Sequence, residues 1–271
     1  MIQLRSPLEQ FIKAEPGQAA FLSLQVYNDG ETPCQIAVDA EDFRISPEGE
    51  IELAAQLSEA EGAQSCCKWI QLPEEAEPLA LHEERRLLIP IVVPEDAKEG
   101  SRWAMVYVWS REAKAERRGE CEIFTHLRYG IQVVVDVGVR ASEIELDISS
   151  PQVSPERLTW TVCNRSSWVV KPKAECMLVD SRGHDHGLHE MRSGKILPGQ
   201  QRLFHLDCDV DEGQYTAVFL LDDPLGASLG VRDLISISAP AAALMQDPAS
   251  DAHLPNALPV SATSGENCFS L

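Results

Sequence analysis

The sequence predicts an all-β protein: two β-sandwiches in tandem, followed by a disordered C-terminal tail. Three observations carry that prediction. Short apolar/polar alternations recur at regular spacing along most of the chain, each bounded by turn chemistry. No convincing helical period interrupts them. From Ala239 the alternation stops and the composition turns to Ala, Pro, Ser and Asp, as in chains too polar to bury a core. The expected boundaries are 1–138 for the first sandwich, 139–239 for the second and 240–271 for the tail. A chain of 271 residues is long enough for two domains with separate cores.

The first expected strand, Ile2 to Ile12, carries Arg5 and is interrupted by Pro7, which places it at an edge or at a switch between sheets. Pro16-Gly17 makes a turn, and Ala19 to Tyr27 alternates as a half-buried strand. Asn28-Asp29-Gly30 is a second turn, after which Cys34 to Ala40 resumes the pattern. Phe43 to Leu53 reads as a hairpin about Pro47-Glu48-Gly49-Glu50, and Leu57 to Gln64 as a loop or one helical turn. Glu84 to Val93 and Ser101 to Ser110 are further strands, and Glu112 to Glu120 is expected to be a solvated charged loop.

The longest alternation is Cys121 to Val137. Odd positions from Ile123 to Val137 are aliphatic, aromatic or β-branched, and even positions are mostly polar, with Phe124 and Val134 as exceptions. The expectation is one long strand, with Gly130 marking a bulge or bend. In the second half, Ser142 to Ile148, Arg157 to Asn164, Trp168 to Asp180, Gln201 to Leu206, Tyr215 to Asp222 and Asp233 to Ser238 read as strands. Val162-Cys163-Asn164 repeats the pattern of Val26-Tyr27-Asn28: a strand, an Asn-led turn, a strand.

The chemistry points away from catalysis. No Gly-x-Ser-x-Gly elbow, His-Glu-x-x-His pair or phosphate loop occurs, and no cofactor is expected. His184, His186 and His189 are weak candidates for a metal, against the reading of a polar inter-strand loop. The run Asp207, Asp209, Asp211, Glu212 lacks the spacing of a calcium loop and reads as an acidic turn. Cys163, Cys176 and Cys208 admit one cross-strand disulfide or buried free thiols. A formal charge of -20 argues against nucleic acid and anionic membrane surfaces. No apolar run reaches the roughly 18 residues of a membrane span. The opening MIQLRSPLEQ has no apolar leader core, so either the chain is cytoplasmic or its signal peptide has been removed.

An unusually long apolar strand has to be covered or used, and an open edge captures an extended segment by strand addition. Here a resemblance bears on the reading. IQLRSPLEQF, the turns VYNDGETP and VCNRSSWVVKP, LPGQQRLFHL, and HLRYGIQVVVDV running into the second half together resemble the periplasmic pilus-assembly chaperones, which are tandem immunoglobulin-like sandwiches. The resemblance implies a non-enzymatic periplasmic or cell-envelope protein that binds a secreted pilus or surface subunit along Cys121–Val137. It also implies a basic pair in the cleft between the domains, with Arg5 as its first member and the second near Gln132, with Arg128 close by. The expected partner-binding residues are therefore Arg5, Phe124, Arg128, Ile131, Gln132, Val133 and Val135. The alternative is a structural or adhesive component of an extracellular assembly that associates with itself.

Overall fold

The alternations become strands largely where the sequence puts them. The computed structural model describes residues 1–238 except 54–61, 63, 75, 113, 119–120, 141–143, 193 and 225–226. The tail expected to be disordered therefore lies outside the described residues, as does most of Leu57 to Gln64.

The first sandwich begins with β1 (Ile2–Leu4), β2 (Glu9–Ala14), β3 (Ala19–Asn28) and β4 (Cys34–Glu41). The hairpin β5 (Phe43–Ile45) and β6 (Ile51–Leu53) follows, then β7 (Glu77–Leu79), β8 (Glu84–Val92) and β9 (Gly100–Ser110). A second hairpin, β10 (Lys114–Arg118) and β11 (Cys121–Thr125), precedes β12 (Arg128–Val137). One sheet has the order β1-β3-β8 and the facing sheet the order β2-β12-β9-β4-β7. The initial strand thus changes sheets across Pro7: β1 pairs with β3, whereas β2 runs parallel to β12. A proline ring removes the amide that a continuous ladder would need, which is why the break falls there.

Two expectations are corrected. Cys121 to Val137 is two strands, because the chain leaves the ladder at His126 and Leu127; β11 pairs with β10, which occupies the stretch expected to be a charged loop. Gly130 makes no bulge: it stays in register with Tyr107, and an added Cβ there would lie 3.1 Å from the Met105 sulfur and 3.2 Å from the Tyr107 ring. Glycine at this position makes room for two large side chains.

The second sandwich contains β13 (Leu146–Ile148), β14 (Gln152–Val153), β15 (Arg157–Asn164) and β16 (Lys173–Asp180). It continues with β17 (Asp185–Met191), β18 (Gln201–Asp207), β19 (Gly213–Asp223) and β20 (Ala227–Ile237). β15 is flanked by β13 and β14 on one side and β18 on the other; the facing sheet is β17-β16-β19-β20. The histidine segment read as a loop is strand β17 and its approach. Its imidazoles do not assemble a metal site: no cluster of three His, Cys, Asp or Glu groups suited to a metal occurs among the described residues.

Each sandwich has its own core. In the first, Leu22, Leu24 and Val26 of β3 face Val106 and Val108 of β9 and Ile131, Val133, Val135 and Val137 of β12. In the second, Trp160 stacks on Phe219 with ring centroids 4.9 Å apart, and Phe204 packs against the same ring at 5.7 Å. Cys34, Cys66, Cys67, Cys163, Cys176 and Cys208 are free thiols, so the disulfide alternative is not realised. Burial pushes the Cys176 thiol up to about 12, which keeps it protonated and inert at neutral pH.

A third apolar cluster ties the sandwiches together: Phe43, Ile45, Trp103, Met105 and Val134 from the first, Val169 and Leu197 from the second. Polar bonds flank it. The Ser101 amide donates to the Ser167 carbonyl at 2.8 Å, and the Ser101 hydroxyl accepts from the Val169 amide at 2.8 Å while donating to Asp136 at 2.5 Å. Gly100, at φ +124°, is required here, since a Cβ would lie 2.5 Å from the Ser167 oxygen.

The repeated Asn-led turns share one device. The Asn164 amide, fully buried, donates to the carbonyls of Trp168 (2.7 Å) and Ile196 (2.9 Å) and accepts from the Ser166 amide at 3.0 Å. Asn28 does the same with Thr32 (2.9 Å), Ala80 (3.2 Å) and the Gly30 amide (2.9 Å). Asn164→Ala leaves two buried carbonyls without donors and should lower the unfolding free energy by about 2 kcal/mol in urea denaturation.

Candidate functional site

β12 is the strand on which the candidate site is built, and its two edges differ. Along its full length, from Arg128 to Val137, it pairs with β9. On the other edge β2 pairs with Gln132 to Val137 alone, and the first bond of that ladder is the Gln132 amide to the Leu8 carbonyl at 2.8 Å. Amide directions alternate along a strand, so the amides and carbonyls that face β2 belong to Gln132, Val134 and Asp136. By the same alternation Arg128 and Gly130 turn theirs to that side. No strand pairs with them there among the described residues. The open edge of β12 is therefore Arg128–Ile131.

Next to Leu127, which precedes β12, lies a groove of about 510 Å³. Ile2, Cys34, Thr125 and Leu127 give it apolar and neutral walls, and Asp29, Glu31 and Glu112 make it acidic. Phe124 (61% exposed) and Leu127 (42% exposed) present large apolar surfaces where the hairpin returns to β12. Arg128 is held by two aromatic faces, its guanidinium 4.2 Å from the Tyr107 ring and 4.6 Å from that of Trp109. Burial and the nearby Glu41 charge push the Tyr107 phenol up, which keeps the ring neutral beneath the cation.

The residues expected to meet a partner thus divide. Arg128 is exposed at the start of the open edge, and Phe124 is exposed on β11. Ile131, Val133 and Val135 have no accessible surface and belong to the core of the first sandwich. From Gln132 onward the backbone edge is taken by β2, which corrects the expectation that the strand is open to Val137. Arg5 does not reach Gln132: its guanidinium pairs with Glu84 at 2.7 Å and lies 4.2 Å over the Tyr27 ring, on the β1-β3-β8 sheet.

Gln132 has basic neighbours all the same, and they come from the second sandwich. Lys195 donates to the Gln132 side chain and to Glu9 at 2.7 Å, and Lys171 reaches Glu9 at 2.5 Å. Nothing local in the sequence marks this cluster, since its members are brought together from opposite halves of the chain. Burial raises the Glu9 carboxyl, but the bonds and charges of Lys171 and Lys195 more than offset this, so it lies below its ordinary value. Burial pulls Lys195 down despite its bond to Glu9. The histidines do something simpler: His184 and His186 meet edge to face at 5.0 Å, and His186 packs the same way on Tyr215 at 5.4 Å.

No protein-family model matches the sequence, and no curated protein matches it. Solved structures do match. A chain of the chaperone–tip adhesin complex of CFA/I fimbriae biogenesis superposes with a TM-score of 0.53 at 12% identity, covering 86% of this chain and 98% of that one. The fold is that of the fimbrial chaperones. The class 5 fimbriae chaperone CfaA gives a TM-score of 0.52, again at 12% identity, with 86% and 98% covered. Identity this low transfers the architecture, two immunoglobulin-like sandwiches in tandem, and not the site residues.

The Glu9 cluster makes a prediction about pH. A carboxyl depressed in the folded state contributes stability above its unfolded value near 4.5, lost as pH falls through the lower folded value. Glu9→Gln should therefore cost stability at pH 7 and show a shallower loss between about pH 5 and 3 than wild type. Urea denaturation across that range measures both.

Proposed function

We propose that this is a non-enzymatic, chaperone-like protein of the periplasm that binds an extended segment of a secreted pilus or surface subunit by strand addition. The proposed contact is the open edge Arg128–Ile131, with Phe124 and Leu127 beside it. The observation that carries the reading is the incomplete ladder of β12, paired on both sides from Gln132 on and on one side before it. Free amides and carbonyls at Arg128 and Gly130 supply register to an incoming strand, and the adjacent groove takes its inward side chains. The fold shared with fimbrial chaperones supports the same reading. Each sandwich is proposed to be a domain in its own right, with the boundary at 138/139.

A second reading, a self-associating structural or adhesive component, draws on one feature. Phe21, Leu88 and Val92 are exposed on one face of the β3–β8 pair, where Ala19 opposes Val92 and Ser23 opposes Leu88. Sedimentation at micromolar concentration separates the two readings: a stable dimer without foreign protein favours the second.

The edge itself is tested by a pair of variants. Proline is tolerated at the first residue of a strand, so Arg128→Pro removes one outward amide while leaving the core intact. Arg128→Ala removes the same aromatic contacts and keeps the amide. With a photo-crosslinker at Phe124 in the native host, subunit capture should fall at least tenfold in Arg128→Pro and much less in Arg128→Ala. Equal capture by the two folded variants would exclude main-chain addition at this edge.

A further inference from the structure

Between the two sandwiches sits a charge that no described residue neutralises. Arg202, in β18, is 6% exposed. Its guanidinium lies between two glycine backbones. Gly49, in the turn of the β5–β6 hairpin at φ +91°, is so close that any Cβ would overlap it, and a Cβ on Gly194 would fall 2.6 Å from its Cζ and Nη2. The Leu203 amide next to it donates to the Pro47 carbonyl at 2.7 Å, so hairpin and strand are fixed against each other.

This packing explains the position of Arg202 and not its charge. Among the described residues its guanidinium forms no ion pair, and its Nε is buried without a hydrogen-bond partner. Glu48 and Glu50, on either side of Gly49, are exposed and form no ion pair with it. Two other cations at the junction have carboxylate partners: half-buried Arg140 pairs with Asp223 at 2.6 Å, although its Nε also lacks a partner, and buried Lys195 pairs with Glu9 at 2.7 Å. What approaches Arg202 is a second cation, the exposed Arg192, whose charge adds to burial in disfavouring the protonated guanidinium. A buried, unpaired guanidinium is a strained arrangement unless an anion completes it.

We propose that Arg202, with Arg192 at the rim, forms a binding site for a small oxyanion at the junction of the sandwiches, one that offers two oxygens to a guanidinium edge as phosphate and carboxylate groups do. Guanidinium geometry suits bidentate recognition of both, and Gly49 and Gly194 let the backbone close on the guanidinium where any side chain would collide with it. Its residues are not those of the open edge of β12, and Gly194 adjoins Lys195 of the Glu9 cluster in the chain.

The test is an NMR titration of the full chain at constant ionic strength, with sodium phosphate in one arm and sodium acetate in the other. The amides of Gly49 and Gly194 are the reporters. Wild type should show a saturable shift with at least one anion. Arg202→Gln should abolish it, and Arg192→Gln, an exposed substitution, should weaken it about threefold with melting unchanged. Phosphate as the stronger arm identifies a free-anion site; acetate as the stronger identifies a site for a protein carboxylate. Absence of a saturable shift in both arms, or an equal shift in Arg202→Gln, overturns the proposal. If Arg202→Gln does not fold, Arg192→Gln decides, and unchanged affinity there overturns it as well.

Discussion

The hydrogen bond from the Gln132 amide to the Leu8 carbonyl is the point on which the rest of the site depends. It marks where the initial strand, having crossed from one sheet to the other at Pro7, arrives at β12. C-terminal to it, β12 is a central strand with both edges satisfied. N-terminal to it, four residues lie at an edge. Had the crossing come a few residues earlier, β2 would have closed the edge back to Arg128 and left an ordinary sandwich. A proline that cannot donate thus sets the length of the open edge.

The remaining structure holds that surface in place. Alternate residues of β12 fill the core of the first sandwich, and Val134, on the opposite face, packs into the cluster that binds the second. One strand therefore joins a core, a domain junction and an open edge. The junction is charged as well as apolar: Glu9 of β2 lies between two lysines of the second sandwich, so the strand that closes β12 is also the strand that anchors the second sandwich.

Much of the fold was legible because burial on one face imposes a period of two. Ala19–Asn28 and Glu84–Val92 alternate clearly, Gly100–Ser110 is buried on both faces, and all three form strands at nearly the expected limits. The failures have the same physical origin. β10, in EAKAERRGE, has a sequence without apolar alternation, and β17 is rich in polar residues and glycine, so hydropathy gives no sign of either. The break at His126-Leu127 was equally silent, because Leu127 continues the odd-position pattern although the backbone has left the ladder. At the site, Phe124 and Arg128 were accessible to sequence reasoning. Lys171, Lys195 and Glu9 were not, since no local pattern records which distant charges a fold brings together. Arg5 shows the converse: a suitable residue on a suitable strand, directed by Glu84 and Tyr27 to another face.

The most direct measurement of the central claim is residue-resolved amide hydrogen exchange on the free protein. The account predicts slow exchange at Gln132, Val134 and Asp136, whose amides are bonded to β2, and fast exchange at Arg128 and Gly130, which point the same way with no strand to meet them. Protection of Arg128 and Gly130 equal to that of Gln132 would mean that the edge is already closed, and strand addition there would have to be abandoned.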